Sequence, residues 1–166
     1  MGAPVRIKRS IIAIGEGEAE AVFLDHVKAL YVPRGCGTSL RIKTALGKGG
    51  KGVLDYAERQ CAGLAHDVRI LLLDTDVDWH DQQRRRARQL GFLVVESTPC
   101  LEAWLLAIHR DERPRSSAQH KRAFEARFHQ AAHSPSVYVQ HFAKPVLEAQ
   151  RHRVAPLRLL LDALGV

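Results

Sequence analysis

Carboxylate side chains are concentrated in two short segments of this 166-residue sequence, each directly after an apolar run. The first segment is GEGEAE at positions 15–20, and the second is DTDVD at positions 74–78. The acids in these segments are Glu16, Glu18, Glu20, Asp74, Asp76 and Asp78. Carboxylates brought together repel one another or take up protons, and a bound cation removes that conflict. Because all of these ligands are oxygens, the pattern predicts a site for Mg²⁺ or Mn²⁺.

The six acids do not support this prediction equally. Those nearest to the apolar runs are Glu16, Asp74 and Asp76. The metal interpretation is favoured for these three, because each follows a run that is typical of a buried strand. Glu18 and Glu20 fit equally well as acids in the first turn of a helix, where the helix dipole favours negative charge. Asp78 could cap the helix that follows it. Both interpretations stay open, so Glu20 and Asp78 remain candidate ligands.

Three well-known motifs with similar residues do not fit. The segment 74–85 has the aspartate spacing of a calcium-binding EF-hand loop, but Trp79 stands in place of the glycine and Arg85 in place of the last glutamate. GEGEAE is not a dinucleotide-binding fingerprint, because Glu20 occupies the third glycine position and would oppose a pyrophosphate. GKGGKG at 47–52 lacks the spacing and the Ser/Thr of a P-loop.

Apolar runs and helical periodicity predict the elements that position these acids. Strands are predicted at 6–14, 39–46, 68–74 and 92–97. Helices are predicted at 18–30, 53–65, 81–90, 100–109, 123–132, 145–153 and 156–164. The segment 47–52 is interpreted as a flexible basic loop, and 110–122 as a polar loop.

Strands alternate with helices up to residue 110, which predicts an α/β domain with a roughly four-stranded, mainly parallel sheet between helices. We expect an α/β core over 1–110 and a C-terminal helical extension over 111–166, packed together as a single domain. In a parallel sheet the carboxyl ends of the strands share one edge. The acids that follow the first and third predicted strands should therefore meet there.

An excess of basic residues favours a polyanionic partner. The chain has 25 Lys and Arg against 18 Asp and Glu, a formal net charge of +7, so nucleic acid, DNA or RNA, is the expected partner. Candidate phosphate contacts are Lys48, Lys51, Arg84, Arg85, Arg86 and Arg88. The lysines lie in the glycine-rich segment and the arginines in a predicted helix. A solvated basic surface would explain the same residues, and both interpretations stay open.

Cysteine usage and hydropathy bear on the cellular location of the protein. Cys36, Cys61 and Cys100 are odd in number and widely spaced, which favours a reducing compartment and predicts a cytoplasmic location. No apolar run approaches the roughly 20 residues that a transmembrane helix needs, so no membrane contact is expected. The oligomeric state stays open.

The order of the acidic motifs resembles that of the Toprim domain, the fold shared by topoisomerases, primases and OLD-type nucleases. The glutamate–glycine pair of that family is matched by Glu16-Gly17, and its DxD motif by Asp74-Thr75-Asp76. The resemblance is closest to the RloB-like Toprim proteins of bacterial defence loci. Their EGxxE motif is matched through Glu20, and their PxFExWLLxH segment by PCLEAWLLAIH at 99–109, with Leu101 in place of the aromatic residue.

The resemblance implies a Mg²⁺-dependent nuclease that cleaves phosphodiester bonds in nucleic acid, with a role in anti-phage defence. It implies that Glu16, Asp74 and Asp76 are catalytic metal ligands and Glu20 a further ligand. Glu102 occupies the place of the family's helix glutamate, although an acid in the first turn of a helix would also explain it. Lys48 and Lys51 are candidates for assisting catalysis through charge or proton transfer.

A non-catalytic function is the alternative. In that case the metal site would bind nucleic acid or a nucleotide and serve another defence protein, such as an ATPase encoded nearby. Other Toprim activities fit less well. A topoisomerase needs a nucleophilic tyrosine beside the metal, for which Tyr31, Tyr56 and Tyr138 show no context, and a primase needs further modules that this length hardly permits.

Overall fold

Four parallel strands form the centre of the structure, a computed structural model that describes residues 4, 6–76 and 78–166. The strands are β1 (Arg9–Gly15), β2 (Thr38–Thr44), β3 (Val68–Asp74) and β4 (Phe92–Ser97). The helices are α1 (Glu18–Tyr31), α2 (Gly49–Cys61), α3 (Asp81–Gln89), α4 (Leu101–Ile108), α5 (Ser117–Phe128), α6 (Pro135–His141), α7 (Lys144–Gln150) and α8 (Ala155–Leu164). The sheet order is β2-β1-β3-β4 and every pairing is parallel. The predicted α/β class with a four-stranded parallel sheet is confirmed.

Alternate residues of the central strands face two separate hydrophobic cores, as the two-residue period of a strand requires. Ile11 and Ile70 belong to the larger core, together with residues of α1 and of α4 to α8. Ile12 and Leu71 belong to the smaller core, together with residues of α2 and α3. The sheet therefore lies between helices, and burial on both faces explains the continuous apolar runs of β1 and β3.

The C-terminal helices pack on the α1 and α4 side of the sheet. Helix α5 contacts α4, α6 contacts α1, α7 contacts α4, and α8 contacts β4. Their buried residues, such as Phe124, Val137 and Leu160, belong to the same core as Phe23 of α1. The segment 111–166 therefore shares its core with the α/β portion.

The prediction of a flexible loop over 47–52 is wrong for its last four residues. Gly49 to Gly52 form the first turn of α2. A Cβ atom on Gly50 would lie only 1.8 Å from the carbonyl oxygen of Asp78, so glycine is needed there for close approach to the segment after β3. Lys51 therefore lies on a helix and Lys48 at its N-cap.

The prediction of a loop over 110–122 is also wrong in part, because α5 begins at Ser117. The Ser116 hydroxyl accepts a hydrogen bond from the Gln119 amide at 3.2 Å, and the Gln119 side chain accepts one from the Ser116 amide at 2.9 Å. This reciprocal capping box starts the helix earlier than apolar periodicity suggested. Helix α6, which begins with a proline, was not predicted at all.

The described part of the chain holds no helix that is both long enough and apolar enough to cross a bilayer.

Candidate metal centre

The acids that follow β1 and β3 meet at the carboxyl edge of the sheet. Glu16 comes directly after β1, and its backbone amide donates to the Leu72 carbonyl at 3.0 Å. Its side-chain Oε2 accepts a hydrogen bond from the backbone amide of Asp74 at 2.8 Å. Only 8% of Glu16 and 7% of Asp74 are exposed. Two acids 58 residues apart in the chain are thus neighbours, because β1 and β3 are adjacent parallel strands.

Asp74 also connects the sheet to α4. Its Oδ1 accepts a hydrogen bond from the backbone amide of Leu101 at 2.9 Å. Leu101 is the first residue of α4, so Asp74 pairs with one of the amides that a helix leaves free at its N-terminus. Trp104 is buried and donates from its indole nitrogen to the Ser97 hydroxyl at 2.8 Å, which fixes α4 against the end of β4. The first turn of α4, with Glu102, is thereby held beside the two strand ends.

Glu20 and Glu102 add two further buried carboxylates from two helix starts. Glu20 Oε2 accepts a hydrogen bond from the Gly17 amide at 2.9 Å, as expected of an acid in the first turn of a helix. Glu102 Oε2 is buried and has no hydrogen-bond partner among the described residues. The Lys121 Nζ lies 3.7 Å from that oxygen.

We call Glu16, Glu20, Asp74 and Glu102 the acid cluster. Burial raises the pKa of Asp74 to about 9, and the charges of Glu20, Glu16 and Glu102 contribute to this shift. Burial also raises the pKa of Glu16 and of Glu20. In the absence of a cation Asp74 therefore holds a proton at neutral pH, and a divalent ion would compete with it.

Lys121 also belongs to this region, although the sequence analysis did not suggest it. Burial lowers its pKa, but the opposing contributions of Glu102 and Asp74 are large enough to raise it overall, so the ammonium group stays charged. With Glu18 and Glu102 it lines a small cleft of about 200 Å³ beside the cluster. Its side chain is half exposed, so it can reach a bound anion. The capping sequence Ser116 to Gln119, which places Lys121 on a helix, was the available signal.

The donor set fits a hard divalent ion. Within the described ranges, no three His, Cys, Asp or Glu side chains already surround a common point at ligating distance. Mg²⁺, however, usually keeps several waters and binds through one or two carboxylates. The cluster offers oxygen donors only, and Glu102 Oε2 is a buried oxygen without a hydrogen-bond partner among those residues. Both features suit Mg²⁺ or Mn²⁺.

The two later aspartates of the DTDVD segment are both exposed but have different neighbours. Asp76 is exposed in the turn after β3, its amide donates to the Pro99 carbonyl at 3.2 Å, and its charge helps to raise the pKa of Glu16, after the larger contributions of burial and of the Glu20 charge. It therefore lies at the rim of the acid cluster. Asp78 is exposed and pairs with the His80 imidazole. The intervening Val77 lies outside the described residues.

The two lysines of the GKGGKG segment contact neighbouring residues of α2. The Lys48 ammonium lies 5.5 Å from the centre of the Tyr56 ring. The Lys51 ammonium lies 3.9 Å from Asp55 and is largely exposed, so this ion pair contributes little to stability. Their catalytic and nucleic-acid-binding roles stay predictions.

The four arginines of α3 divide into two pairs. Arg84 donates to Glu96 at 2.5 Å, and Arg86 pairs with both Asp55 and Glu58 at 2.8 Å. These two guanidinium groups join α3 to β4 and to α2. Arg85 and Arg88 are exposed. Of the predicted phosphate contacts on this helix, Arg85 and Arg88 are thus the better placed.

Comparisons with protein-family models, with curated proteins and with solved structures found no match to this chain. The likeness to Toprim proteins is therefore carried by the motifs of the sequence.

Proposed function

We propose that this protein is a Mg²⁺-dependent nuclease of the Toprim type that hydrolyses phosphodiester bonds in DNA or RNA. The observation that best supports the proposal is the acid cluster itself, in which Glu16 and Asp74 come from adjacent strand ends and Glu20 and Glu102 from two helix starts. The all-parallel sheet is consistent with the fold that the motifs imply. The net charge of +7 suits a polyanionic substrate.

Each residue of the site has a role in this proposal. Glu16, Asp74 and Asp76 would hold the ion, with Glu20 and Glu102 as further carboxylates of the site. The bound ion would supply charge neutralisation of the scissile phosphate and an activated water. Lys121 would contact a phosphate oxygen, because its charged amine stands beside Glu102 at the open cleft. Arg85 and Arg88 would contact the nucleic acid backbone further away.

One observation favours the alternative, a non-catalytic metal-dependent module that binds nucleic acid or a nucleotide for another protein. Glu16, Glu20 and Asp74 each use one carboxylate oxygen to accept a backbone amide. Such bonds hold strand and helix ends in place whether or not chemistry follows. In this alternative the partner would be another defence protein, such as an ATPase encoded nearby.

The two functions are distinguished by incubating the protein with labelled single-stranded and double-stranded DNA and RNA. We expect cleavage with Mg²⁺ or Mn²⁺ and none in EDTA. Binding of the same substrates is measured in parallel by electrophoretic mobility shift. Metal-dependent binding without cleavage would support the non-catalytic module. An absence of both, together with no change in melting temperature on adding Mg²⁺, would contradict the metal centre itself.

A Lys121→Met variant is expected to cleave about 10-fold more slowly, equivalent to about 1.4 kcal/mol in the barrier. The reason is that the variant loses a charge-assisted contact to a phosphate oxygen while keeping a side chain of similar length. The effect is measured as kcat/KM at several salt concentrations. Lys121→Arg should recover part of the rate.

The matched control for this prediction is Arg122→Met. Arg122 is exposed on the same helix and next in sequence, so the two variants change the net charge equally. A loss of rate as large in the control as in Lys121→Met would mean that general electrostatic attraction, rather than a local contact, is responsible.

A further inference from the structure

A second cleft lies apart from the acid cluster. It has a volume of about 750 Å³, within the range of sites that hold small organic ligands. Its walls come from the side of α4 that carries the half-buried Ala103 and Ala107, from the segment 110–115 and from the start of α8. Thr98 and Pro99, which follow β4, are also part of its wall. We call this space the α4–α8 cleft.

Arginine side chains dominate the polar part of the α4–α8 cleft. The four that line it are Arg110, Arg113, Arg115 and Arg153. Arg110 follows α4 with a φ of 65°, a left-handed conformation that non-glycine residues seldom adopt. Burial and the neighbouring Arg110 lower the pKa of Arg153, so these two guanidinium groups are close enough to repel. Convergence of like charges around a cleft is unfavourable unless an anion lies between them.

Acidic neighbours neutralise only part of this charge. Asp111 accepts hydrogen bonds from both Arg113 and Arg115, at distances between 2.9 and 3.1 Å, and so balances one of the two. Glu112 pairs with Arg153.

Glu96, the other acid of the wall, is already bound to Arg84. Arg110 has no acidic partner among the described residues. The cleft therefore keeps an excess of two positive charges, one from Arg110 and one from the Arg113, Arg115 and Asp111 group.

A buried histidine and an apolar wall complete the cleft. His120 lines it and is only 5% exposed, yet its Nδ1 has no hydrogen-bond partner within the part of the chain that the structure describes. Buried polar atoms are almost always paired, so an unpaired one on a cleft wall points to a missing ligand or solvent partner. Apolar residues make up much of the remaining wall, with Trp104, Pro99 and Pro156 among them. Such a surface can cover the face of a planar ring.

We propose that the α4–α8 cleft binds a nucleoside phosphate, with the phosphates among the arginines and the base against the apolar wall. Guanidinium groups match phosphate oxygens with paired N–H donors. A phosphate alone would leave most of the 750 Å³ empty, which is why a nucleoside is part of the ligand. The site includes no residue of the acid cluster. The nucleotide-binding proposal therefore does not depend on the proposed nuclease function.

The test measures melting temperature and calorimetric binding with ATP, GTP, tripolyphosphate and adenosine, all in EDTA. EDTA removes divalent ions, so nucleotide binding through the metal centre cannot contribute. We expect ATP or GTP to bind and raise the melting temperature, with tripolyphosphate binding about 10-fold or more weakly because it lacks the base. Binding should persist in an Asp74→Asn variant.

Two variants should weaken this binding. Arg110→Glu reverses the charge of the arginine that has no acidic partner among the described residues. Ala107→Trp fills the cleft from α4 and leaves the net charge unchanged. The control is Arg59→Glu, the same charge change at an exposed position on α2. Loss of binding in the first two but not in the control supports the proposal.

Four results would overturn it, three of which concern the unmodified protein and the two charge-reversal variants. These three are the absence of nucleotide binding by the unmodified protein, equal weakening in Arg59→Glu and Arg110→Glu, and equal affinity for tripolyphosphate and ATP. If Arg110→Glu fails to fold, Ala107→Trp decides the question alone. Undiminished nucleotide binding in the folded Ala107→Trp variant would also contradict the proposal.

Discussion

Replacing Asp74 with asparagine is expected to reduce Mg²⁺-dependent cleavage by at least about 100-fold, because a ligand charge disappears from the centre of the acid cluster. The amide oxygen of asparagine can still accept the hydrogen bond from the Leu101 amide, which Asp74 accepts at 2.9 Å. The contact to α4 is therefore kept while the charge is lost. Cleavage of the best labelled substrate is measured as single-turnover rate against Mg²⁺ concentration.

A second measurement separates metal binding from catalysis. The melting temperature of the unmodified protein should rise with Mg²⁺, while that of Asp74→Asn should rise much less. The matched control is Asp25→Asn, an exposed aspartate on α1 away from the acid cluster, which should behave like the unmodified protein in both assays. Full activity in Asp74→Asn would contradict the role proposed for the cluster.

The strand-end acids could be predicted from the sequence because the relevant rule is topological. Apolar runs identified β1 and β3, and the alternation of strands with helices indicated a parallel sheet. The carboxyl ends of parallel strands lie at one edge of the sheet. Glu16 and Asp74 are therefore expected at that edge, whatever the path of the chain between them. Their hydrogen-bonded contact at 2.8 Å is the result of β1 and β3 being direct neighbours in the sheet.

Lys121 and the true start of α2 could not be predicted in the same way. Both depend on contacts between segments distant in sequence or on a cap that apolar periodicity does not report. Gly50 disfavours a helix by its propensity, yet its lack of a side chain is what lets α2 start against the Asp78 carbonyl. Lys121 reaches Glu102 only because α5 packs on α4. Tertiary packing decides such positions.

The arginines of α3 show a second limit of sequence reasoning. The sequence does not distinguish the four arginines of this short helix from one another, because their ion-pair partners lie elsewhere in the chain. Glu96 on β4 binds Arg84, and Asp55 and Glu58 on α2 bind Arg86. Ion-pair partners that come from other elements cannot be read from a charge run. For that reason only Arg85 and Arg88 remain good candidates for nucleic-acid contact on this helix.

The metal-free protein is expected to lose about 2 kcal/mol of its free energy of unfolding between pH 7 and about pH 9, through Asp74 alone. Its pKa is raised from 3.8 in the unfolded chain to about 9 by burial and by Glu20, Glu16 and Glu102. The folded state thus binds a proton that the unfolded chain has already released. The resulting stabilisation is complete below the unfolded pKa and disappears as the pH rises through the folded one.

The measurement is urea unfolding in EDTA at several pH values for the unmodified protein and for Asp74→Asn, and the result is the difference between the two curves. Groups that do not interact with Asp74 cancel in this difference, and the pKa of Lys121, which faces the cluster from α5, is raised above its ordinary value of 10.5 and so lies outside the chosen range. Burial lowers the pKa of His109 and His120, so the effect of these histidines on stability falls below the chosen pH range.

Adding Mg²⁺ should flatten the stability curve of the unmodified protein, since the ion replaces the proton. Parallel curves from pH 7 to about pH 9 in EDTA would mean that Asp74 titrates as an ordinary exposed aspartate. That result would contradict the burial of Asp74 among the other carboxylates of the acid cluster.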